Sequence, residues 1–359
     1  MSSRIPKGMT GIEYLLELNK ENSETYCNPG TALERRLYRA QHPTEIGVLK
    51  CMDGRLHAAV MTNTALGILQ PWRNLGGRFN LGWIAFQQSI ESWVKYAVHR
   101  GRHCLILVTY HYARGNTHRG CRGFNYDADE AQRYTHNLKQ QFDRVFGTNV
   151  VYTLQCGIET DYESLILHGS NGEMVDMADV IDTSTDALVS LLSRLYPNMP
   201  QAIVPDVIPL LQGNIQHIAK IRSSNRPDVE AEHREWVLGV GRGFDWLHEI
   251  NMALIVGPFD PYLADAIATA ATLIKGNLDE GRISKDTGVV LLSSAPYRDP
   301  AGPERLLAQE KALFLDNFAL DVIGQRVPEL IPYLRRLVVT IDHNTRAVDV
   351  LERHEKDKH

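Results

Sequence analysis

Two short apolar runs, each followed by residues that bind soft metals, constrain the fold of this chain most strongly. The first run, residues 48–51, ends at Cys51 and leads into Asp53 and Arg55; the second, residues 105–111, is followed by a polar loop that reaches Cys121. Runs of this length and composition predict buried strands of a parallel sheet. The carboxyl ends of such strands share one edge, where open α/β sheets bind ligands. The sequence therefore predicts that these residues meet at one site.

The residues that end these strands form the donor set of a catalytic zinc site. Catalytic zinc is held by three protein ligands with a fourth position left open, whereas structural zinc is closed by four. Cys51 and Cys121 supply two thiolates, and a histidine supplies an imidazole. Zinc held in this way lowers the pKa of water from about 15.7 to about 7. The pattern therefore predicts a zinc enzyme.

Two histidines compete for the third ligand position. His118 stands three residues before Cys121, in the compact spacing His-x-x-Cys, whereas His111 stands where the apolar run ends. A ligand on a strand end is presented more rigidly than one in a loop. We therefore favour His111 as the zinc ligand, and His118 remains the alternative.

Asp53 and Arg55 follow the first cysteine at alternate positions. On an extended segment their side chains point to the same side as Cys51. Asp53 can orient a water on zinc, or bind the zinc itself and block the site, and Arg55 has the forked geometry to hold it as an oriented carboxylate. The alternative is that Cys51 is an ordinary buried cysteine and residues 53–55 an ordinary turn. We expect both residues to take part in catalysis.

The composition is that of a globular protein of two or three domains. Of 359 residues, 43% are hydrophobic and 23% are charged, and a net charge of −5 gives no reason to expect nucleic acid as a partner. Five widely spread cysteines argue against a disulfide framework and for a reducing compartment. No run reaches the length of a signal-peptide core or a membrane span. We expect a cytoplasmic protein without a membrane partner.

The order of these patterns predicts three parts. Residues 1–46 carry one or two modest helices, residues 47–221 form the zinc-binding catalytic domain, and residues 222–359 form a C-terminal domain. Four prolines between residues 197 and 209 predict a connector, and the charged stretch 222–233 predicts a linker or a mobile loop.

The C-terminal domain repeats the pattern of the catalytic domain. Residues 237–240 and 289–294 take the places of the two ligand-bearing strands, a helix over residues 304–323 matches the one after Cys121, and a hairpin near residues 337–351 matches the one around Gly157. No cysteine occurs in this second copy. The predicted fold class is α/β: a mostly parallel sheet flanked by helices, duplicated, with a degenerate and metal-free second copy.

These motifs together resemble the β-class carbonic anhydrases. Cys51, Asp53 and Arg55, a glycine-rich loop at residues 73–77, and a strand-end histidine followed by Cys121 stand in the order of that family's zinc ligands and Asp-Arg dyad. The motif-level resemblance covers residues 47–175, and the architectural resemblance extends to about residue 352.

Three features resemble one branch of that class more closely, the carboxysome shell carbonic anhydrase family. They are the long insertion between the histidine and the second cysteine, the stretch Gly-Ile-Glu-Thr-Asp-Tyr-Glu at residues 157–163, and the metal-free second copy. In ordinary β-class enzymes two subunits build the cleft, and in this branch the degenerate copy stands in for one of them.

The resemblance implies the reversible hydration of CO₂ to bicarbonate by zinc-bound hydroxide. It assigns zinc to Cys51, His111 and Cys121, a hydrogen bond from the hydroxide to Asp53, and the orientation of that carboxylate to Arg55. Two other functions fit the same residues. One is hydrolysis of carbonyl sulfide or carbon disulfide on the same scaffold, and the other is a non-catalytic, metal-bearing scaffold or shell-associated protein.

The resemblance also implies partners and a second location. It implies a homo-oligomer and association with a carboxysome shell or with Rubisco, and hence the carboxysome. The chain departs from the family in three places. Arg122 follows the second cysteine where ordinary β-class enzymes have glycine, Gly54 stands where serine is commoner, and residues 1–46 are shorter than the family's helical domain and docking extension. The last departure bears on packaging and not on the chemistry.

Overall fold

The computed structural model describes residues 5–224, 231–286 and 288–355, which form two sheets flanked by helices. The helices are α1 (Gly11–Cys27), α2 (Pro29–Gln41), α3 (Ala58–Met61), α4 (Ile84–His99), α5 (Ala128–Phe146), α6 (Thr185–Leu195), α7 (Val204–Ser223), α8 (Leu263–Asp279) and α9 (Pro303–Arg326). The strands are β1 (Thr44–Cys51), β2 (Leu69–Asn74), β3 (His103–Tyr112), β4 (Val151–Glu159), β5 (Ser164–His168), β6 (Met174–Asp176), β7 (Val237–Gly241), β8 (Ala253–Val256), β9 (Val289–Tyr297), β10 (Leu334–Asp342) and β11 (Val348–His354). The chain therefore has the α/β fold class predicted from its sequence.

The chain divides into two compact units. The first-sheet unit comprises Glu34–Met52 and Leu56–Glu232, and the second-sheet unit comprises Met1–Leu33, Asp53–Arg55 and His233–His359. The short stretch Asp53–Arg55 therefore belongs to the second-sheet unit, although it follows β1 almost directly in sequence.

The first-sheet unit is built on strands in the order β2-β1-β3-β4-β5-β6. The first four of these strands pair in parallel, and β5 and β6 are added antiparallel at one edge. β1, β3 and β4 are almost wholly buried, which explains why they read as continuous apolar runs rather than as alternating patterns. Helix α5 packs on β3 and β4, and its buried face includes Ala131, Leu138 and Phe142.

The second-sheet unit repeats this topology. Its strand order is β8-β7-β9-β10-β11, with the first four strands parallel and β11 antiparallel to β10. The connections between strands therefore follow the same course as those from β1 to β5. This agreement confirms the predicted duplication at the level of topology. The sequence patterns did not identify β8 or α8, which complete the second copy.

Strand register relates the two copies residue by residue. Leu49 of β1 lies opposite Val108 of β3, so continuing that ladder by two residues brings Cys51 opposite Tyr110. In the second sheet Val240 lies opposite Ser293. When Cys51 is aligned with Val240, His111 aligns with Ser294, which is the correspondence that the sequence predicts.

Helix α1 contributes to the core of the second-sheet unit. Its start is fixed by a capping box, in which Thr10 accepts from the backbone N–H of Glu13 and the Glu13 carboxylate accepts from the backbone N–H of Thr10. Ile12 and Leu15 are fully buried in a cluster that includes Trp246. The apolar face of α1 is thus a part of that core.

Three local sequence predictions differ from the structure. The predicted connector over residues 197–209 is helical from Val204 onward, because Pro205 lies in the first turn of α7, where a missing backbone N–H costs no hydrogen bond. The predicted linker over 222–233 is helical through Ser223 and buried at His233, and residues 225–230 lie outside the described part. The loop expected at residues 73–77 begins later, because Arg73 and Asn74 belong to β2.

No helix within residues 5–224, 231–286 and 288–355 is long and apolar enough to cross a membrane.

Candidate metal centre

Cys51, His111 and Cys121 come together at the carboxyl edge of the first sheet. Cys51 ends β1, His111 is the next-to-last residue of β3, and Cys121 follows in the loop beyond it. Their ligand atoms all lie within 4.8 Å of one another, and the two Sγ atoms are 4.0 Å apart. The chain leaves β1 for β2 on one side of it and returns to β3 on its other side. This edge is therefore the topological switch point, where ligands bind in open α/β sheets.

Paired glycines let the backbone approach this cluster closely. Gly76 and Gly77 have φ of 68° and 64°. A Cβ on Gly77 would lie 3.2 Å from the backbone nitrogen of Cys51, and a Cβ on Gly123 would lie 2.5 Å from the Cα of Gly76. Only glycine fits such contacts and conformations. The glycine-rich loop thus lies directly against the backbone of Cys51, and Gly123 lets the segment after Cys121 pack against it.

Glu159, at the end of β4, holds the loop that leads from His111 to Cys121. Its carboxylate accepts from the backbone N–H groups of Arg114 at 3.2 Å, Asp161 at 3.1 Å and Tyr162 at 2.9 Å. The side chain is fully buried, and burial raises its pKa while these hydrogen bonds lower it. A carboxylate that accepts several backbone N–H groups holds those segments of backbone in place. Glu159, within the stretch at residues 157–163, therefore helps to position the loop that carries Cys121.

The same loop carries His118 away from the cluster. His118 is exposed, and its ring packs edge-on against Tyr126 at 5.1 Å between centroids. Nearby, Arg119 pairs with Glu232 at 2.8 Å and with Asp161 at 3.6 Å. Of the two histidines considered from the sequence, the structure therefore brings His111 to the thiols.

Asp53 and Arg55 form a buried, two-pronged ion pair. Arg55 donates from Nε to Oδ1 of Asp53 at 3.0 Å and from Nη2 to Oδ2 at 2.6 Å, and its backbone N–H donates to Oδ1 at 2.9 Å. The side chains are 4% and 2% exposed. Forked pairing of guanidinium and carboxylate is among the strongest of hydrogen-bonded arrangements, and it fixes the plane of the carboxylate.

Two further residues, His233 and Glu235, extend this pair into a buried network. Nε2 of His233 lies 3.0 Å from Nη2 of Arg55, and Nδ1 lies 2.9 Å from the Glu235 carboxylate. Because the guanidinium can only donate, Nε2 must be the acceptor and Nδ1 must carry the proton that Glu235 accepts. The geometry therefore selects one tautomer of His233, with Arg55 between two acceptors.

Gly54 lies against the same network. Its N–H donates to Glu235 at 3.1 Å, and its carbonyl accepts from the N–H of Asn251 at 2.8 Å. A Cβ at this position would lie 2.6 Å from the carbonyl oxygen of Ala253 and 2.9 Å from Cγ of Glu235. This crowding explains why glycine stands between Asp53 and Arg55, where the resembled family more often has serine.

Two groups of side chains in the described part of the chain could hold a metal ion. One is Cys51, His111 and Cys121; the other is Asp53, His233 and Glu235. In the second group the Arg55 guanidinium already places a cation against Asp53 and His233. The first group offers two sulfurs and an imidazole on buried side chains, which is a donor set suited to zinc. The residues at the first sheet edge therefore fit a zinc ion.

The remaining cysteines differ from these two thiols. Burial raises the pKa of Cys104 and of Cys156 to about 12, with a smaller contribution from the nearby Glu45 to the first, and Cys27 is exposed. Among the residues that the structure describes, neither buried thiol belongs to a group that could hold a metal. This environment fits a structural role for both, because buried thiols in apolar surroundings are chemically inert.

Sequence reasoning missed His233 and Glu235. They lie at the end of a charged stretch that reads as a linker, and their partners in the network are about 180 residues away in the chain. The one local signal was the alternation His-x-Glu directly before the apolar run that becomes β7. That spacing places both side chains on one side of an extended segment.

Comparisons with known proteins found a likeness among solved structures and none among sequences. No protein-family model matches the chain, and no curated protein matches it either. Among solved structures, a carbonic anhydrase from Streptococcus mutans matches at 19% identity and a TM-score of 0.24, covering 41% of this chain and 95% of that one. A TM-score of that size does not by itself identify a shared fold.

Proposed function

We propose that the chain is a zinc-dependent carbonic anhydrase, which hydrates CO₂ reversibly to bicarbonate. The observation that carries the proposal is the convergence of Cys51, His111 and Cys121 at the switch point of the first sheet. These three residues would hold zinc. The ion would act as a Lewis acid and would lower the pKa of water toward about 7, which makes hydroxide available near neutral pH.

The donor set favours catalysis over a purely structural role. The group found in the described residues has three ligands, whereas structural zinc is closed by four protein ligands. Three ligands leave a coordination position for water or substrate. This count is the reason to rank an enzyme above a non-catalytic, metal-bearing scaffold.

Asp53 is the proposed acceptor that orients the attacking oxygen. It follows Cys51 by two residues, so the chain itself keeps the carboxyl close to the ligand. Both of its oxygens are held by Arg55, so the carboxylate cannot turn freely toward a metal. An oriented carboxylate is an acceptor only, and a proton that points to Asp53 leaves an oxygen lone pair free for CO₂.

Arg55, His233 and Glu235 act on Asp53 as positioning residues. Glu235 accepts the Nδ1 proton of His233, and Nε2 of that ring then accepts from Arg55. The guanidinium is thereby held in the plane that serves Asp53. Its charge also offsets the cost of keeping the carboxylate ionised in a buried place, which would otherwise be several kcal/mol.

The test is stopped-flow CO₂ hydration by the full, zinc-loaded chain, with the metal content of each sample measured in parallel. Wild type should catalyse hydration and carry one zinc, whereas Cys121→Ser should lose both. Cys104→Ser is the matched control, because Cys104 is equally buried in β3 but lies outside the group. Full zinc and full activity in Cys121→Ser would refute the assignment.

The resemblance supports finer proposals that need tests of their own. We propose that the chain acts in the cytoplasm or a carboxysome, as a homo-oligomer that associates with a shell or with Rubisco. Light scattering would give the oligomeric state, and co-purification with shell proteins would test the association. Carbonyl sulfide or carbon disulfide offered in the same assay tests the related hydrolase reaction.

A further inference from the structure

The second sheet has an open pocket at the position that corresponds to the metal centre of the first. The pocket has a cavity volume of about 160 Å³ and lies at the carboxyl ends of β7 and β9. The chain leaves β7 for β8 on one side and returns to β9 on the other, so the pocket stands at the switch point of the second sheet. Ser294, which aligns with His111, lies in its wall. The second copy thus has a ligand crevice, and the described residues form no metal-binding group there.

Two cations line this pocket. Arg242 follows β7, and Lys311 comes from α9 on the other wall. Gly241 and Gly243, on either side of Arg242, have φ of 135° and 89°, and a Cβ on Gly241 would lie 2.0 Å from the carbonyl oxygen of Ser294. The backbone that presents Arg242 therefore requires glycine at Gly241, since no other residue fits there.

The carboxylates nearby are already engaged by other groups. Glu304, which also lines the pocket, accepts from the backbone N–H groups of Arg298 and Asp299 at 3.0 Å each. Asp245 pairs with Arg346 at 3.4 Å. Two cations and one carboxylate, that of Glu304, therefore line the pocket, and a third cation, Arg298, acts on Arg242.

The electrostatics agree with this excess of positive charge. Loss of hydration lowers the pKa of Arg242, and Arg298 lowers it further. Loss of hydration, and then Arg242, lower the pKa of Lys311. Burial lowers the pKa of His343 to about 4, and Arg346, Arg298 and Arg242 add to that effect. An anion in the pocket would relieve the mutual repulsion of these cations.

We propose that this pocket binds a small oxyanion, a phosphate or carboxylate compound, between Arg242 and Lys311. A guanidinium offers forked donors to such a group, and an ammonium adds a point charge. A cavity of about 160 Å³ admits a small oxyanion rather than a larger ligand, and Pro258 and Leu307 form apolar parts of its wall. The site would be separate from the proposed zinc chemistry and would work without a metal.

The test is calorimetric titration of the full chain with inorganic phosphate and with acetate, at constant ionic strength set by chloride. At least one oxyanion should bind saturably, and Arg242→Gln and Lys311→Gln should each weaken that binding roughly 10-fold or more, the expected effect of losing a charge-assisted hydrogen bond. Lys285→Gln is the control. Lys285 is exposed before the amino end of β9, so its removal should leave binding unchanged.

Several results would overturn the proposal. They are no saturable binding of either oxyanion, chloride binding of equal strength, or binding that survives both pocket substitutions. Lys311 is exposed on α9, so its variant keeps the test decisive even where Arg242→Gln fails to fold. Because the readout is binding and not CO₂ hydration, the outcome does not depend on whether the zinc assignment holds.

Discussion

Arg55 lies at the centre of a buried network, where its guanidinium serves Asp53 on one side and His233 on the other. Buried ion pairs differ from exposed ones in the consequence of losing one partner. Removal of one charge leaves the other buried and uncompensated, at a cost of about 3–5 kcal/mol. A substitution here therefore changes both the orientation of Asp53 and the stability of the second-sheet unit.

Arg55→Ala should keep its zinc and lose most of its CO₂ hydration. Without the guanidinium the Asp53 carboxylate is released, and as an anion close in sequence to Cys51 it can bind the metal and close the open position. Metal analysis beside the stopped-flow rate checks both halves of the prediction. Arg78→Ala, which removes an exposed arginine paired with Glu130, is the control. A zinc-replete Arg55→Ala protein with normal activity would remove the dyad from the account.

At the scale of elements, the spacing of the metal ligands depends on a loop rather than on the strands alone. β1 and β3 place Cys51 and His111 by their register, whereas Cys121 lies ten residues past His111 in the chain. That loop is anchored where Glu159 of β4 accepts the backbone N–H of Arg114, and the same carboxylate accepts from Asp161 and Tyr162 after β4. The first two ligands are thus set by the sheet, and the third by a buried carboxylate.

Glu159→Gln should weaken zinc binding without unfolding the protein. An amide has one acceptor oxygen, so its NH₂ group would face a backbone N–H that now has no acceptor. Residues that orient metal ligands typically contribute about 10–100-fold in affinity. Competition with a chromophoric chelator would measure the change. Glu173→Gln, which alters a partly exposed carboxylate paired with Arg194, should bind zinc as wild type does; equal affinity in both variants would contradict the role of Glu159.

A side-chain contact between β5 and β3, which lie on either side of β4, predicts an acid-sensitive element. Nε2 of His168 lies 3.0 Å from the hydroxyl of Tyr110, and burial, with a smaller effect of His136, lowers the pKa of His168 from 6.5 to about 4. The unfolded chain therefore takes up a proton as the pH falls below about 6.5, while the folded chain does not until about 4. The contribution of this residue to stability is present above 6.5 and is lost as the pH falls through that window.

His168→Gln should accordingly reduce the loss of stability between pH 7 and pH 4.5. The shift corresponds to at most about 3 kcal/mol, at about 1.36 kcal/mol per pKa unit. Urea unfolding of both proteins at the two pH values, with a chelator present so that metal release does not contribute, gives the difference. His136→Gln, on the exposed side of α5, serves as the control. The same pH dependence in wild type and His168→Gln would show that this histidine is not the source.

For the molecule as a whole, the sequence predicted the fold class, the duplication and the convergence of Cys51, His111 and Cys121. Those predictions succeeded because buried parallel strands are continuous apolar runs, and because their carboxyl ends share an edge. The sequence did not indicate a role for His233 and Glu235. Their role depends on a contact with Asp53–Arg55, which lie far away in the sequence, and local sequence patterns do not indicate such contacts. Pro205 misled because proline reads as a helix breaker, although it is tolerated in a first turn; Pro209 lies farther inside the same helix.

Gly54 is another residue that local sequence patterns do not explain. It differs from the serine that is commoner in the resembled family, and the sequence gives no reason for the difference. In the structure the space for a side chain is taken by Ala253 and Glu235, both distant in sequence. Tertiary contacts, rather than local preference, thus decide the residue at this position.

The most direct test of the account is a zinc titration of the metal-free full chain, with CO₂ hydration measured at each step. The rate should rise in proportion to bound zinc and reach its plateau at one zinc per chain, because the described part of the chain holds one set of two thiols and one imidazole. Cobalt in place of zinc would add the absorption expected of thiolate ligands in a tetrahedral site. A chain that binds one zinc and hydrates CO₂ no faster than the buffer alone would contradict the central claim.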